Sequence, residues 1–282
     1  IEHEYLEFVR KLYPNIKFND YVIDDAHGAT SKLSKTLFPV EHYFCEPNGK
    51  NINESCGATH MESILTLKNT PVAFSFDGDG DRMLMVINDE IIYGDQVLYV
   101  FAKDQKLHGH DVSVALSMMT NPGVNKAFES LNIDIFETPV GDAYLFDAIN
   151  HHGITMGAEA SGHYMLTYQV SDQSVLIGDG MLAARYMIDI LGRYGLKTIQ
   201  EWLLEISLLP MRTKNINMSK DVLEKTSVKS CLEAIMNQIE KPYKAIVRPS
   251  GTEEKIRLTV SLETQDEVND MLEKLSACIE RG

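Results

Sequence analysis

Three aspartates at alternate positions, Asp77, Asp79 and Asp81, follow directly on the apolar run Val72-Ala73-Phe74-Ser75-Phe76, with Gly78 and Gly80 between them. The run reads as a buried strand, and the glycines let the chain turn tightly as it leaves that strand. Three carboxylates so close together repel one another unless a cation or basic group sits among them. A hard divalent cation with oxygen ligands, Mg2+ by preference, fits this arrangement, and Arg82 stands next to it as a supporting charge. A solvated acidic turn would not need a strand of this apolarity before it. An EF-hand does not fit, because Arg82 takes the place of the required glycine and Asn88 that of the bidentate glutamate.

Around this loop the chain alternates apolar runs with helical spacing. Strands are expected at Tyr21–Asp25, Met83–Ile87, Val112–Leu116 and Ile133–Phe136, and helices at 1–13, 95–106, 121–131, 142–150, 181–194 and 199–206. This alternation argues for α/β layers with largely parallel strands. Beyond Pro210 the pattern becomes strand-rich, with Lys214–Asn217, Ala245–Arg248 and Ile256–Ser261 before a last amphipathic helix at 264–279. The fold class is therefore α/β: two α/β/α layered domains with mixed sheets, 1–94 and 95–207, then a smaller α+β domain, 208–282. The chain opens at Ile1 inside a helical pattern, which reads as a piece of something longer.

Two further loops carry chemistry. Val247-Arg248-Pro249-Ser250-Gly251-Thr252-Glu253 follows a strand and combines an arginine, two hydroxyls and a glycine that exposes its N–H, with Arg257 shortly after. That is the composition of an anion cradle. Gly157-Ala158-Glu159-Ala160-Ser161-Gly162-His163 spaces Glu159, Ser161 and His163 two apart among small residues, an inventory suited to vicinal sugar hydroxyls. His151 and His152 precede Gly153 at a helix end, where cations are favoured, and carry no functional reading.

Charge narrows the partners. With 41 acidic against 26 basic residues the net charge is −15, which repels nucleic acid. No apolar run approaches the roughly 20 residues of a membrane span, and no signal peptide is visible. Cys45, Cys56, Cys231 and Cys278 form no CxxC pair, a pattern expected of reduced thiols in a cytoplasmic protein.

The three loops, in this order, resemble those of the α-D-phosphohexomutase family. Asp77-Gly-Asp79-Gly-Asp81-Arg82 is similar to its metal loop, Gly157–His163 to its sugar loop, and Arg248-Pro-Ser250-Gly251-Thr252 to its phosphate loop. Cys45–Gly49, Asn51–Glu54, Gly57-Ala58-Thr59 and Gly141-Asp142 resemble the phosphoglucosamine mutase branch. The resemblance implies a four-domain enzyme of which domains two, three and four are present. It also implies interconversion of glucosamine 6- and 1-phosphates through a phosphoserine enzyme and a bisphosphate intermediate, with Mg2+ as cofactor. Its phosphoserine, in a Ser-His-Asn-Pro type loop, and its acid/base lysine would lie in the first domain, so no catalytic nucleophile is identifiable here. The implied partners are a hexosamine phosphate and that N-terminal domain, and a homodimer is compatible with the pattern. Ala160 stands where this branch usually has an amide and Ala143 where a basic residue is common, which bears on sugar selectivity. Alternatives are a phosphomannomutase or phosphoglucomutase of the same family, a non-catalytic sugar-phosphate-binding fragment, and a haloacid dehalogenase-type phosphohydrolase with Asp77 as nucleophile. For the last, Asp81 stands where a Thr or Val would be expected.

Overall fold

The apolar runs at 21–24, 72–76 and 83–87 become the centre of a five-stranded sheet, as their lack of polar alternation requires when both faces are covered. A computed structural model describes residues 2–170, 173–240, 242–250 and 254–281. Helix α1 (Glu2–Leu12) leads into strand β1 (Tyr21–Asp24); helix α2 (Ser31–Leu37), β2 (Glu41–Tyr43), helix α3 (Glu62–Leu67), β3 (Val72–Phe76), β4 (Met83–Ile87) and β5 (Glu90–Ile92) follow. The order across the sheet is β2-β1-β3-β4-β5. Strands β2, β1 and β3 run parallel, β4 pairs antiparallel with β3, and β5 pairs antiparallel with β4. Val22, Ala73 and Val86 pack against Ile64 of α3.

The second sheet repeats this plan. Helix α4 (Gly94–Leu107), β6 (Ser113–Ser117), α5 (Pro122–Ser130), β7 (Asp134–Thr138), α6 (Asp142–His152), β8 (Met156–Ala158), β9 (Tyr164–Val170) and β10 (Gln173–Ile177) give the order β10-β9-β8-β6-β7. Here β7, β6 and β8 are parallel, β9 pairs antiparallel with β8, and β10 pairs antiparallel with β9. Helix α7 (Gly180–Tyr194) and α8 (Leu196–Leu203) complete the layer. Arg193 grips the buried Asp104 carboxylate with two nitrogens and ties α7 to α4. Gly153, in the left-handed region at φ 68°, ends α6 just after His151 and His152.

Residues 121–126 and 207–282 form a second compact unit, distinct from 1–120 with 127–206. Its sheet is antiparallel, ordered β11 (Met211–Ile216), β13 (Ile256–Ser261), β12 (Lys244–Pro249), and it carries α9 (Thr226–Met236) and α10 (Gln265–Glu280). Thr264 and Glu267 close a reciprocal capping box at the start of α10, where the sequence places the last helix. Ile216, Leu258 and Val260 pack on Val228 of α9 and on Val268, Leu272 and Leu275 of α10.

Both five-stranded sheets are mixed, as the expected fold class has it: in each, one strand (β4 or β9) runs against the other four. One expectation changes. Cys231 of α9 and Cys278 of α10 are joined by a disulfide with Cα atoms 5.8 Å apart, correcting the expectation that all four thiols are reduced; Cys45 and Cys56 are free. The two helices bring together cysteines 47 residues apart, a juxtaposition that spacing alone does not reveal.

Candidate metal and sugar-phosphate site

Each of the three chemistry-bearing loops closes an antiparallel strand pair. Residues 77–82 join β3 to β4 across the register pair Phe76–Met83, and 159–163 join β8 to β9 across Ala158–Tyr164. In the second unit the segment after Pro249 joins β12 to β13 across Pro249–Ile256. The acidic and glutamate loops leave the carboxyl ends of strands whose other neighbours run parallel, where α/β proteins gather ligands.

In the acidic loop Asp77 is buried, Asp81 half-buried and Asp79 exposed, and one ligand atom of each lies within 4.8 Å of the others. The N–H groups of Gly80 and Arg82 donate to Oδ1 of Asp77, each at 3.1 Å, and Arg82 Nε donates to Oδ2 at 2.7 Å. Burial alone would raise the Asp77 pKa, but the Arg82 N–H and guanidinium outweigh it and hold the carboxyl below its ordinary value. Asp81 is pushed up, chiefly by burial and then by Asp77 and Asp79 against the opposing pull of His163. Oδ1 of Asp81 is shielded from solvent and makes no hydrogen bond, with Arg82 Nε 3.9 Å away. A shielded carboxylate oxygen without a donor, beside two other carboxylates, fits a hard divalent cation.

The glutamate loop packs directly against this one. Arg82 and His163 form a β-bridge, Met83 N–H donates to Gly162 O at 3.0 Å, and the Tyr164 hydroxyl donates to Met83 O at 2.9 Å. The start of α4 supports the loop from the other side, Gly94 N–H donating to Ala160 O at 3.1 Å. A Cβ at Gly94 would stand 2.2 Å from Glu159 O, so only glycine permits that approach.

His163 is the junction: Nε2 lies 3.0 Å from Asp81 Oδ2, and Nδ1 lies 3.4 Å from Glu159 Oε2 and 3.3 Å from Ser161 Oγ. Burial opposes protonation, but the Glu159 bond and the Asp81 charge raise the His163 pKa. Burial likewise opposes ionisation of Glu159, yet His163 and the Gly141 N–H lower its pKa. Gly141 N–H donates to Glu159 Oε1 at 2.8 Å, a contact that the Gly141-Asp142 pair does not announce in the sequence. Asp77, Asp79, Asp81, Arg82, Glu159, Ser161 and His163 thus come together. Asp77 is buried beneath three donors, which argues against its use as a free nucleophile.

In the second unit Arg248 and Arg257 stand directly opposite each other on β12 and β13. Arg257 Nη2 lies 3.3 Å from Ser250 Oγ, and Ser250 N–H donates to Lys255 O at 2.8 Å. Gly251 and Thr252 lie outside the described residues.

Two layered α/β sheets whose hairpin loops bring an acidic cluster against a Glu-His pair define an α/β protein with a candidate divalent-cation site. Residues 93–207 match the phosphoglucomutase/phosphomannomutase alpha/beta/alpha domain III. The phosphoglucosamine mutase of Bacillus pumilus (strain SAFR-032) is 32% identical over 98% of this chain and 63% of its own length. That of Geobacillus kaustophilus (strain HTA426) is 32% identical over 99% of this chain and 64% of its own. Among solved structures, Aspergillus fumigatus N-acetylphosphoglucosamine mutase in complex with GlcNAc-6P and magnesium shares the fold, with a TM-score of 0.80, 17% identity, and coverage of 99% of this chain and 70% of that one. Residues 93–207 belong to the phosphoglucomutase/phosphomannomutase domain III family, and the chain as a whole is similar to bacterial phosphoglucosamine mutases. It spans just under two thirds of the length of the two bacterial phosphoglucosamine mutases.

Proposed function

We propose that this chain is the metal-, sugar- and phosphate-binding part of a phosphoglucosamine mutase that interconverts glucosamine 6-phosphate and glucosamine 1-phosphate. The observation that carries the reading is His163, which touches Asp81 of the acidic loop and Glu159 of the neighbouring loop at once. Asp77, Asp79 and Asp81 would hold Mg2+, and when bound the ion supplies positive charge to a phosphoryl group in transfer. Arg82 holds Asp77 in its ionised form and keeps the loop closed. Glu159, oriented by Gly141 N–H and His163, accepts hydrogen bonds from vicinal sugar hydroxyls, Ser161 adds a hydroxyl donor, and His163, with both ring nitrogens engaged, lines the sugar site and holds Glu159 in place. In the second unit Arg248, Ser250 and Arg257, with Gly251 and Thr252, are assigned to a phosphate through charge-assisted hydrogen bonds.

The phosphoserine and the acid/base lysine are assigned to sequence outside this chain, within the part of the relatives' length that it does not span. A cytoplasmic location agrees with the substrate. Among the described residues no helix is long and apolar enough to cross a membrane. Calorimetric titration with Mg2+ and with glucosamine 6-phosphate tests the reading. Both should bind, Mg2+ binding should vanish in the Asp77/Asp79/Asp81→Asn triple variant, and sugar phosphate binding should weaken in Glu159→Ala. Unchanged binding in these variants would refute the assignments.

A further inference from the structure

We infer that Tyr5 and Asp179, far from the acidic loop in sequence, are positioning residues for it; this rests on the reading of residues 77–81 as a metal loop. Asp179 is the N-cap of α7, in extended conformation at φ −157°, ψ 117°. Both of its carboxylate oxygens are engaged: Leu182 N–H donates to Oδ1 at 2.9 Å, and the Tyr5 hydroxyl of α1 donates to Oδ2 at 2.8 Å. The next residue reaches the loop itself, Gly180 N–H donating to Gly80 O at 3.0 Å. A Cβ at Gly180 would lie 2.4 Å from Arg82 O and 2.9 Å from Gly80 O, so α7 begins flush against the loop backbone and admits no side chain there.

The direction of the Gly180 N–H follows from the backbone angles of the cap, and those angles follow from the two bonds on the Asp179 side chain. Gly80 O, once held, fixes the turn in which the Gly80 and Arg82 N–H groups both point at Asp77 Oδ1, at 3.1 Å each. The chain of contacts therefore runs from Tyr5 through Asp179 and Gly180 to Gly80, and ends on the orientation of the Asp77 carboxylate. Nothing else about Tyr5 calls for a hydroxyl: it is a half-buried residue of an amphipathic helix, and phenylalanine would serve its packing.

Hydrogen exchange of the metal-free chain tests this without relying on activity. In Tyr5→Phe the Gly80 and Arg82 amides should exchange about 3- to 10-fold faster, the loss expected for one net hydrogen bond, while Met85 in β4 stays protected. Asp179→Ser keeps a capping oxygen but cannot reach Tyr5, and it should reproduce the same change, with the double variant adding nothing further. Mg2+ affinity by calorimetry should fall by a similar factor in each. If the parent chain binds no Mg2+, the metal-loop reading fails while the exchange rates still decide whether Tyr5 sets the loop. Unchanged exchange at Gly80 and Arg82 in both variants, or a uniform rise that includes Met85, would overturn the inference.

Discussion

Nε2 of His163 lies 3.0 Å from Oδ2 of Asp81, a contact across 82 residues that joins the loops closing two different sheets. The same ring faces Glu159 through Nδ1. One imidazole therefore sets the spacing between the carboxylates read as metal ligands and the carboxylate read as sugar ligand.

Replacing His163 by Ala removes the ring that bridges Asp81 and Glu159. Glucosamine 6-phosphate binding should weaken by about 1.5–3 kcal/mol, the range for hydrogen bonds to charged groups. Calorimetry on the parent and His163→Ala checks this, and equal affinities would make His163 a structural side chain only.

Arg248 is the residue proposed to hold the phosphate. In a chain of net charge −15, the cross-strand pair of Arg248 and Arg257 concentrates donors beside Ser250. Arg248→Ala should cost about 1.5–3 kcal/mol of phosphosugar binding and weaken inorganic phosphate binding in parallel. A variant that binds both as tightly as the parent removes this loop from the phosphate assignment.

Asp24, at the end of β1, gives a pH signature in the fold. Burial raises its pKa to about 6, against bonds from Ala26 N–H, Gly57 N–H and Ser75 that pull it down. Because the folded value lies above the unfolded one, proton uptake favours the fold. That contribution is complete below about pH 4 and is lost as pH rises through about 6, a difference of ~3 kcal/mol. Carboxyl NMR should place the Asp24 midpoint near 6 and move it higher in Ser75→Ala; a midpoint near that of exposed aspartates would contradict the burial argument.

The Cys231–Cys278 bridge makes a redox prediction. The chain unfolded without reductant should show the two free thiols of Cys45 and Cys56, and four after reduction. Loop-closure entropy for a 47-residue separation gives about 4 kcal/mol as an upper figure, so reduction should lower the denaturant midpoint of the second unit. Four free thiols before reduction would show that the bridge does not form.

The acidic loop is legible in the sequence because three aspartates after an apolar strand leave few alternatives, and the glutamate loop because small residues isolate Glu159, Ser161 and His163. That both are hairpin loops is not legible. Strand β9, Tyr-Met-Leu-Thr-Tyr-Gln-Val, gives a weak alternation beside the long apolar runs, and β2, β5 and β8 are three residues each, too short for a periodic signal. Helix α9 escapes sequence reading for a similar reason: polar residues dilute the apolar face of Thr226–Met236. The Tyr5–Asp179 bond spans 174 residues and has no sequence signature beyond Asp179 standing as a capping residue before an apolar helix.

The most direct test of the mutase reading is a phosphorus NMR assay of glucosamine 6-phosphate with Mg2+ and a hexosamine bisphosphate activator. It is run on this chain alone and on the chain extended N-terminally by a serine-bearing domain of the family. The account predicts no conversion by the chain alone, formation of glucosamine 1-phosphate by the extended protein, and loss of that activity in its Asp79→Asn variant. Conversion by the 282-residue chain itself, or release of inorganic phosphate in place of glucosamine 1-phosphate, would contradict it.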